Sequence, residues 1–218
     1  MNIKRREFST GAAFVLAGAS LAMPGLAQAQ KKPEEGTDYR ILEKRVAVEA
    51  TPGKVEVVEF FWYGCPHCNS FEPQLEAWAK KQPADVVLRR VPVAFRDDFV
   101  PHQRLFYTLE AMGKLDELHR KVFQVIHVDK QSTDKEASIL AWAEKQGLDK
   151  AKFQELYNSF SVSTKARRAA QLQDAFKVEG VPALGIAGRY YTDGSIAGNM
   201  GRALQVSEYL IAEARKSK

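Results

Sequence analysis

Residues 55–68 read VEVVEFFWYGCPHC and are the most informative segment of this 218-residue chain. Their first half follows Pro52-Gly53 and is rich in β-branched and aromatic residues, which predicts a largely buried strand. Apolar residues at helical spacing follow the cysteines, and residues 86–93 predict a second strand. A strand, a helix and a strand in this order form a βαβ unit, so the two strands should run parallel.

The rest of the chain predicts a block of helices and then two more strands. Residues 39–48 leave room for a short strand ahead of the βαβ unit. Thr133, with Glu136 three residues later, predicts a capping box at the start of the third helix of the block. Strands are expected at residues 181–186 and near residue 190. The predicted helices of the block and the chain end are at residues 104–112, 115–126, 133–146, 149–160, 163–178 and 207–216.

This order of elements predicts an α/β fold, a thioredoxin-like fold with a helical domain inserted between its βαβ and ββα halves. The thioredoxin-like domain is then discontinuous. It is expected to comprise residues 37–96 and 166–218, with the helical insertion at residues 97–165.

The first 29 residues predict a secretory signal peptide that is not part of the mature fold. Lys4-Arg5-Arg6 gives a basic start, residues 11–22 are an uncharged run of small and apolar residues, and Ala27-Gln28-Ala29 fits a cleavage site. The run is shorter than the ~20 apolar residues of a membrane-spanning helix, although an uncleaved anchor remains the alternative. Arg5-Arg6 also resembles a twin-arginine export signal. We therefore expect an exported protein.

The overall charge argues against a nucleic-acid-binding protein. The formal net charge is +5, and part of it lies in the predicted signal peptide. A nucleic-acid footprint needs a clustered and stronger basic surface.

The chain has two cysteines, Cys65 and Cys68. A disulfide across two intervening residues closes a very small loop and removes little entropy from the unfolded chain, so it is a poor structural bridge. A zinc site would need two more ligands, and the remaining histidines, His102, His119 and His127, belong to no ligand motif. A redox pair is therefore predicted, with a structural bridge and a metal site as the alternatives.

The two sulfurs should differ in reactivity. Cys65 lies where the strand ends and the helix begins, and the unpaired N–H groups of a helix N-terminus stabilise a thiolate. Pro66 suits the first helical turn, and a protonated His67 in the same turn would favour the thiolate further. Cys68 lies deeper and should remain a thiol. Cys65 is thus the predicted nucleophile and Cys68 the resolving cysteine, in a disulfide that oxidises its substrates without a dissociable cofactor.

Residues 60–68, FFWYGCPHC, resemble the active-site segment of the DsbA family of thiol:disulfide interchange proteins, whose hallmark is Cys-Pro-His-Cys. The order of elements from about residue 37 to 216 is similar as well. The resemblance implies a periplasmic oxidoreductase that donates the Cys65–Cys68 disulfide to newly exported proteins with free thiols, through a mixed disulfide. It also implies reoxidation by a DsbB-like membrane quinone reductase.

Further site residues follow from the same resemblance. Pro182 matches the family's cis-proline, next to which the Val181 backbone pairs with an extended substrate, although from base rates alone a trans turn proline would be expected. Glu59 matches the family's buried acid near the resolving cysteine. Strand alternation argues against full exposure of Glu59, the alternative being an outward-facing strand residue. Apart from the resemblance, Trp62 and Tyr63 are aromatic residues that flank the cysteine motif, and they are expected to line a hydrophobic substrate patch.

Glu72 and Arg90 are expected to join Glu59 in a charged cluster. Two other functions remain open. An exported reductase or isomerase would use the same cysteines, but isomerases of this type are usually dimers and we expect a monomer. A thiol-dependent chaperone or binding module would depend on the aromatic patch and would not need Cys65.

Overall fold

The computed structural model describes residues 31–216, so the predicted signal peptide lies outside the described residues. Five strands and seven α-helices make up this part of the chain. The strands are β1 (Arg40–Ile41), β2 (Val55–Phe61), β3 (Val86–Pro92), β4 (Ala183–Ile186) and β5 (Tyr190–Asp193). The helices are α1 (Pro66–Ala79), α2 (Val100–Ala111), α3 (Leu115–His127), α4 (Glu136–Lys145), α5 (Lys150–Tyr157), α6 (Phe160–Ala175) and α7 (Met200–Lys216).

The strands form one mixed sheet in the order β1-β5-β4-β2-β3. β2 runs parallel to β3, as predicted for a βαβ unit, and antiparallel to β4. β4 and β5 pair in an antiparallel hairpin, and β1 adds to the edge of β5. The predicted order of βαβ unit, helices and ββα unit is therefore confirmed. Within residues 31–216, no helix has both the length and the apolar character needed to cross a membrane.

Two apolar clusters lie on the two sides of the sheet, as the alternation of β2 requires. Val57 packs in the cluster formed with α1 and α7, whereas Val58 and Phe60 pack in the cluster formed with the helical block. All seven residues of β2 are buried because both of its neighbours are strands and both faces are covered. The strand thus fixes the position of the segment that follows it.

Several predicted helix starts were wrong. α2 begins at Val100 because Pro101 suits the first turn of a helix. The predicted capping box of α4 does not form. Ser138 bonds the backbone of Lys135 instead, and the Thr133 side chain is buried. α7 begins at Met200, where the side chain of Asn199 accepts a hydrogen bond from the Arg202 amide at 2.8 Å.

The predicted domain boundary between residues 165 and 166 falls inside α6, which is continuous. The division of the chain into a thioredoxin-like domain and an insertion stays a prediction.

Candidate active site

Cys65 lies at the N-terminus of α1, four residues after the C-terminal end of β2. It is the N-cap residue, with an extended backbone at φ −83° and ψ 118°, and Pro66 occupies the first helical turn. Its amide donates a hydrogen bond to the Trp62 carbonyl at 3.0 Å, which closes the turn between strand and helix. Sequence reasoning placed this residue correctly because strand, turn and helix are adjacent in the chain.

The two sulfurs are reduced in this structure and differ in burial. The Cys65 side chain retains 8% exposure and Cys68 none. A hydrogen bond with the Cys68 thiol, backbone N–H groups of Cys68 and His67 and the charge of His67 together outweigh burial and lower the pKa of Cys65 to about 6. Burial, and then the neighbouring Cys65, raise the pKa of Cys68 far above the ordinary thiol range. At neutral pH the pair is therefore one thiolate and one thiol.

The residues before β4 approach Cys65 from the other half of the fold. The Val181–Pro182 peptide bond is cis, as the resemblance implies. The Cys65 sulfur lies 3.4 Å from the Val181 carbonyl oxygen, to which the protonated thiol donates a hydrogen bond. A cleft of about 760 Å³ opens beside this contact. Its lining includes His67, Val181, Pro182, Tyr191 and Ile196.

Glu59 is fully buried, so the alternative of an outward-facing side chain is excluded. It stands opposite Arg90 in the β2–β3 register, with 3.3 Å between Glu59 Oε2 and Arg90 Nε. Arg90 also pairs with Glu72 of α1, so the predicted charged cluster is present. Burial and then the neighbouring charge of Glu72 raise the pKa of Glu59 well above its ordinary value. When Glu59 is ionised, its charge raises the pKa of Cys68 further.

Tyr63 is not part of a substrate surface, and this prediction was wrong. Its side chain is fully buried, and its hydroxyl forms a 2.8 Å hydrogen bond with His119 Nδ1. His127 Nε2 donates to the Tyr63 carbonyl at 2.8 Å. Aromatic character alone suggested an exposed patch, but side chains of both α2 and α3 pack on the Tyr63 ring and bury it.

Trp62 remains partly exposed, and its placement fits the predicted patch. Its ring stacks on Phe99 with centroids 3.8 Å apart and an interplanar angle of 6°. Phe95, 38% exposed, contacts Phe99 edge-on. These three rings form a partly exposed aromatic surface that begins at the residue following β2.

The histidines of the helical block were missed by sequence reasoning. His102 is buried and pairs with Thr133 through a 3.0 Å contact between Nε2 and Oγ1. His119 is buried between Tyr63 and Glu72. None of these contacts has a local signal, because the partners lie 31 to 64 residues apart in the chain.

The chain is similar to known proteins over most of its length. A family model described as a DSBA-like thioredoxin domain matches residues 88–203. The thiol:disulfide interchange protein DsbA of Burkholderia cepacia is 41% identical over 198 residues, which are 89% of this chain and 92% of that protein. The DsbA of Bordetella pertussis is 47% identical over 167 residues, covering 76% of this chain and 79% of its own.

Solved structures show the same similarity. The crystal structure of Pseudomonas aeruginosa DsbA superposes with a TM-score of 0.79 at 38% identity and covers 84% of this chain and 94% of its own. DsbA from Xylella fastidiosa has a TM-score of 0.79 at 26% identity, over 84% of this chain and 98% of that one.

Proposed function

Because this chain belongs to the DsbA family of thioredoxin-fold proteins and is a thiol:disulfide oxidoreductase, we propose that it works as an oxidase through Cys65 and Cys68. The observation that carries the proposal is the unequal pair of sulfurs at the α1 N-terminus. A Cys65 pKa of about 6 stabilises the reduced protein as a thiolate at neutral pH. Whatever stabilises the reduced form makes the disulfide a stronger oxidant.

In the first step a substrate thiolate attacks the Cys65 sulfur of the oxidised protein. The bond between Cys65 and Cys68 breaks, and its electron pair passes to Cys68. The Cys68 sulfur is fully buried and takes up a proton, for which we assign Glu59 as the donor. Burial, and then the charge of Glu72, raise the pKa of Glu59 well above its ordinary value and so favour the protonated form of this acid.

In the second step another substrate thiolate attacks the substrate sulfur of the mixed disulfide. Cys65 departs with the bonding electrons as a stabilised thiolate, and the substrate acquires a disulfide. Two electrons now reside in the dithiol of the protein. We propose that a DsbB-like membrane protein linked to a quinone accepts them, that the substrates are newly exported proteins with free thiols, and that the protein works in the periplasm as a monomer.

The cleft beside the cysteines is the proposed substrate site. The Val181 carbonyl lies beside Cys65, so an extended peptide bound along residue 181 would present its cysteine to that sulfur. His67 is exposed at the rim of the cleft. The partly exposed aromatic surface of Trp62, Phe99 and Phe95, which begins three residues before Cys65, is proposed as a further apolar contact area for substrates.

A trapping experiment tests the assigned roles. A Cys68→Ala variant lacks the resolving thiol, so with an oxidised cysteine peptide it should accumulate a mixed disulfide through Cys65 that is visible by mass spectrometry. The matched Cys65→Ala variant should form little adduct, because Cys68 is fully buried. Equal trapping by both variants would refute the division of labour.

The same variants separate an oxidase from a binding module. A chaperone that depends on the aromatic surface would suppress substrate aggregation equally well with Cys65→Ala. We expect this variant to lose all turnover in the oxidation of a reduced two-cysteine peptide, with glutathione disulfide as the terminal oxidant.

A further inference from the structure

His119 lies between the active-site turn and the buried charged cluster. Its side chain is buried, and its Nδ1 forms a 2.8 Å hydrogen bond with the Tyr63 hydroxyl. Its Nε2 faces Glu72 Oε1 at 3.5 Å and has no hydrogen-bond partner among residues 31–216. The ring is thus fixed on one side and directed at a carboxylate on the other.

Tyr63 and Glu72 determine which ring nitrogen of His119 carries the proton. Burial raises the pKa of Tyr63 well above its ordinary value, so the phenol keeps its proton and donates to Nδ1. Burial also lowers the pKa of His119, against the influence of Glu72, so the ring is neutral at pH 7. A neutral ring that accepts at Nδ1 carries its proton at Nε2. The N–H of His119 therefore points at Glu72.

Glu72 and Glu59 share one cation, Arg90, but are otherwise surrounded differently. Glu72 faces His119 in addition to Arg90, whereas neither carboxyl oxygen of Glu59 has a hydrogen-bond partner in the described part of the chain. Burial opposes ionisation of Glu72, but His119 and then Arg90 outweigh it and lower its pKa. The titratable and charged groups that act on the two acids come from β2, the turn after it, α1, β3 and α3. They are Glu59, Tyr63, Cys68, Glu72, Glu76, Arg90 and His119.

We propose that His119 is a positioning residue for the dithiol chemistry. It determines which of the two buried acids, Glu59 or Glu72, carries the proton. By directing Nε2–H at Glu72, it holds the negative charge on Glu72 and leaves the proton on Glu59. Without that donor, the proton moves toward Glu72. Glu59 then becomes an anion beside Cys68, which has no proton to give and repels the departing thiolate.

The kinetic consequence rests on the proposed function of Glu59 as the proton donor to Cys68. Substrate attack on Cys65 should slow when Glu59 is ionised, because the sulfur of Cys68 must then leave unprotonated. If loss of the N–H that faces Glu72 at 3.5 Å shifts the protonation balance between the two acids by about one pKa unit, attack should be about tenfold slower at pH 7.

Two amide substitutions of His119 test this inference. The amide nitrogen of His119→Gln can reach the position of Nε2 and face Glu72, whereas that of His119→Asn reaches only the position of Nδ1. His127→Gln is the matched control, since His127 also contacts Tyr63 from α3 but at the backbone carbonyl. The side-chain carboxyl carbons are followed through a pH titration by ¹³C NMR in reduced protein labelled at Glu, with Glu59→Gln and Glu72→Gln giving the assignments.

In His119→Asn, the pH midpoint of the Glu72 carboxyl titration should rise and that of Glu59 should fall. The attack of a peptide thiol on the oxidised protein should slow about tenfold. His119→Gln and His127→Gln should titrate as the unchanged protein does. The inference is overturned if Glu59 and Glu72 titrate in His119→Asn as they do in the unchanged protein, or if the Gln and Asn variants shift alike. The NMR result does not depend on oxidase activity, so changed midpoints without a changed rate would refute the role of Glu59 and leave that of His119.

Discussion

The slope of the reduction potential of the cysteine pair against pH should change near pH 6. Reduction of the disulfide takes up two protons while Cys65 is a thiol, but one proton once Cys65 is a thiolate. For a two-electron couple, one proton corresponds to about 30 mV per pH unit. With the pKa of Cys65 at about 6, the potential should fall by about 59 mV per unit below that pH and by about 30 mV per unit above it.

The size of the effect follows from the same shift. An unperturbed thiol with a pKa of 9.0 would keep the steeper slope through neutral pH. At pH 7 the lowered pKa of Cys65 stabilises the reduced form by about 1.4 kcal/mol relative to that reference, or about 30 mV. This stabilisation is complete above the unperturbed pKa and is lost as pH falls through the lowered one.

The assay is equilibration with glutathione redox buffers of known potential between pH 4.5 and 8. The oxidised and reduced fractions are measured after acid quenching and alkylation. Absorbance at 240 nm of the reduced protein gives the thiolate titration independently, with Cys65→Ser as the blank. One straight line of about 59 mV per unit through pH 8 would refute the lowered pKa and the account of the helix N-terminus.

Three further predictions concern single side chains. Cys68→Ala removes a hydrogen bond to Cys65 and should raise the Cys65 pKa from about 6 toward 9.0, as measured by thiolate absorbance; an unchanged pKa would show that the helix terminus alone suffices. Glu59→Gln should stabilise the protein against urea by about 1–3 kcal/mol at pH 8 and by less at pH 4. The pKa of Glu59 is raised in the folded protein, so its ionisation reduces stability only as pH rises above the ordinary value of 4.5. A stability gain that is the same at both pH values would contradict this. Phe99→Ala removes a buried ring stacked on Trp62 and should cost about 3–5 kcal/mol in urea unfolding, whereas a loss below ~1 kcal/mol would show that the stack contributes little.

The sequence predicted those parts of the site that depend on neighbours in the chain. β2, the turn after it and the N-terminus of α1 are contiguous, so Cys65 and Pro66 could be placed at a helix start and Cys68 one turn inside it. The βαβ rule predicted that the strand carrying Glu59 runs parallel to the second strand, and alternation argued against full exposure of Glu59. The register that places Arg90 opposite Glu59 comes from the structure.

The remaining features depend on contacts between distant segments. Tyr63 was predicted as a surface residue because nothing nearby in the chain shows that α3 covers it. Thr133 has the local pattern of a helix cap, but its hydroxyl is held by His102, so a tertiary contact prevails over a weak local preference. His119 carries no motif, and its role depends on the three-dimensional placement of Glu72 and Tyr63.

We propose that the cysteine pair of this protein oxidises its substrates. The reduction potential of the protein at pH 7, measured by equilibration with glutathione, distinguishes an oxidase from a reductase. We expect a value far more oxidising than the ~−270 mV of thioredoxin. A value near that of thioredoxin would contradict the account and make the protein a reductase.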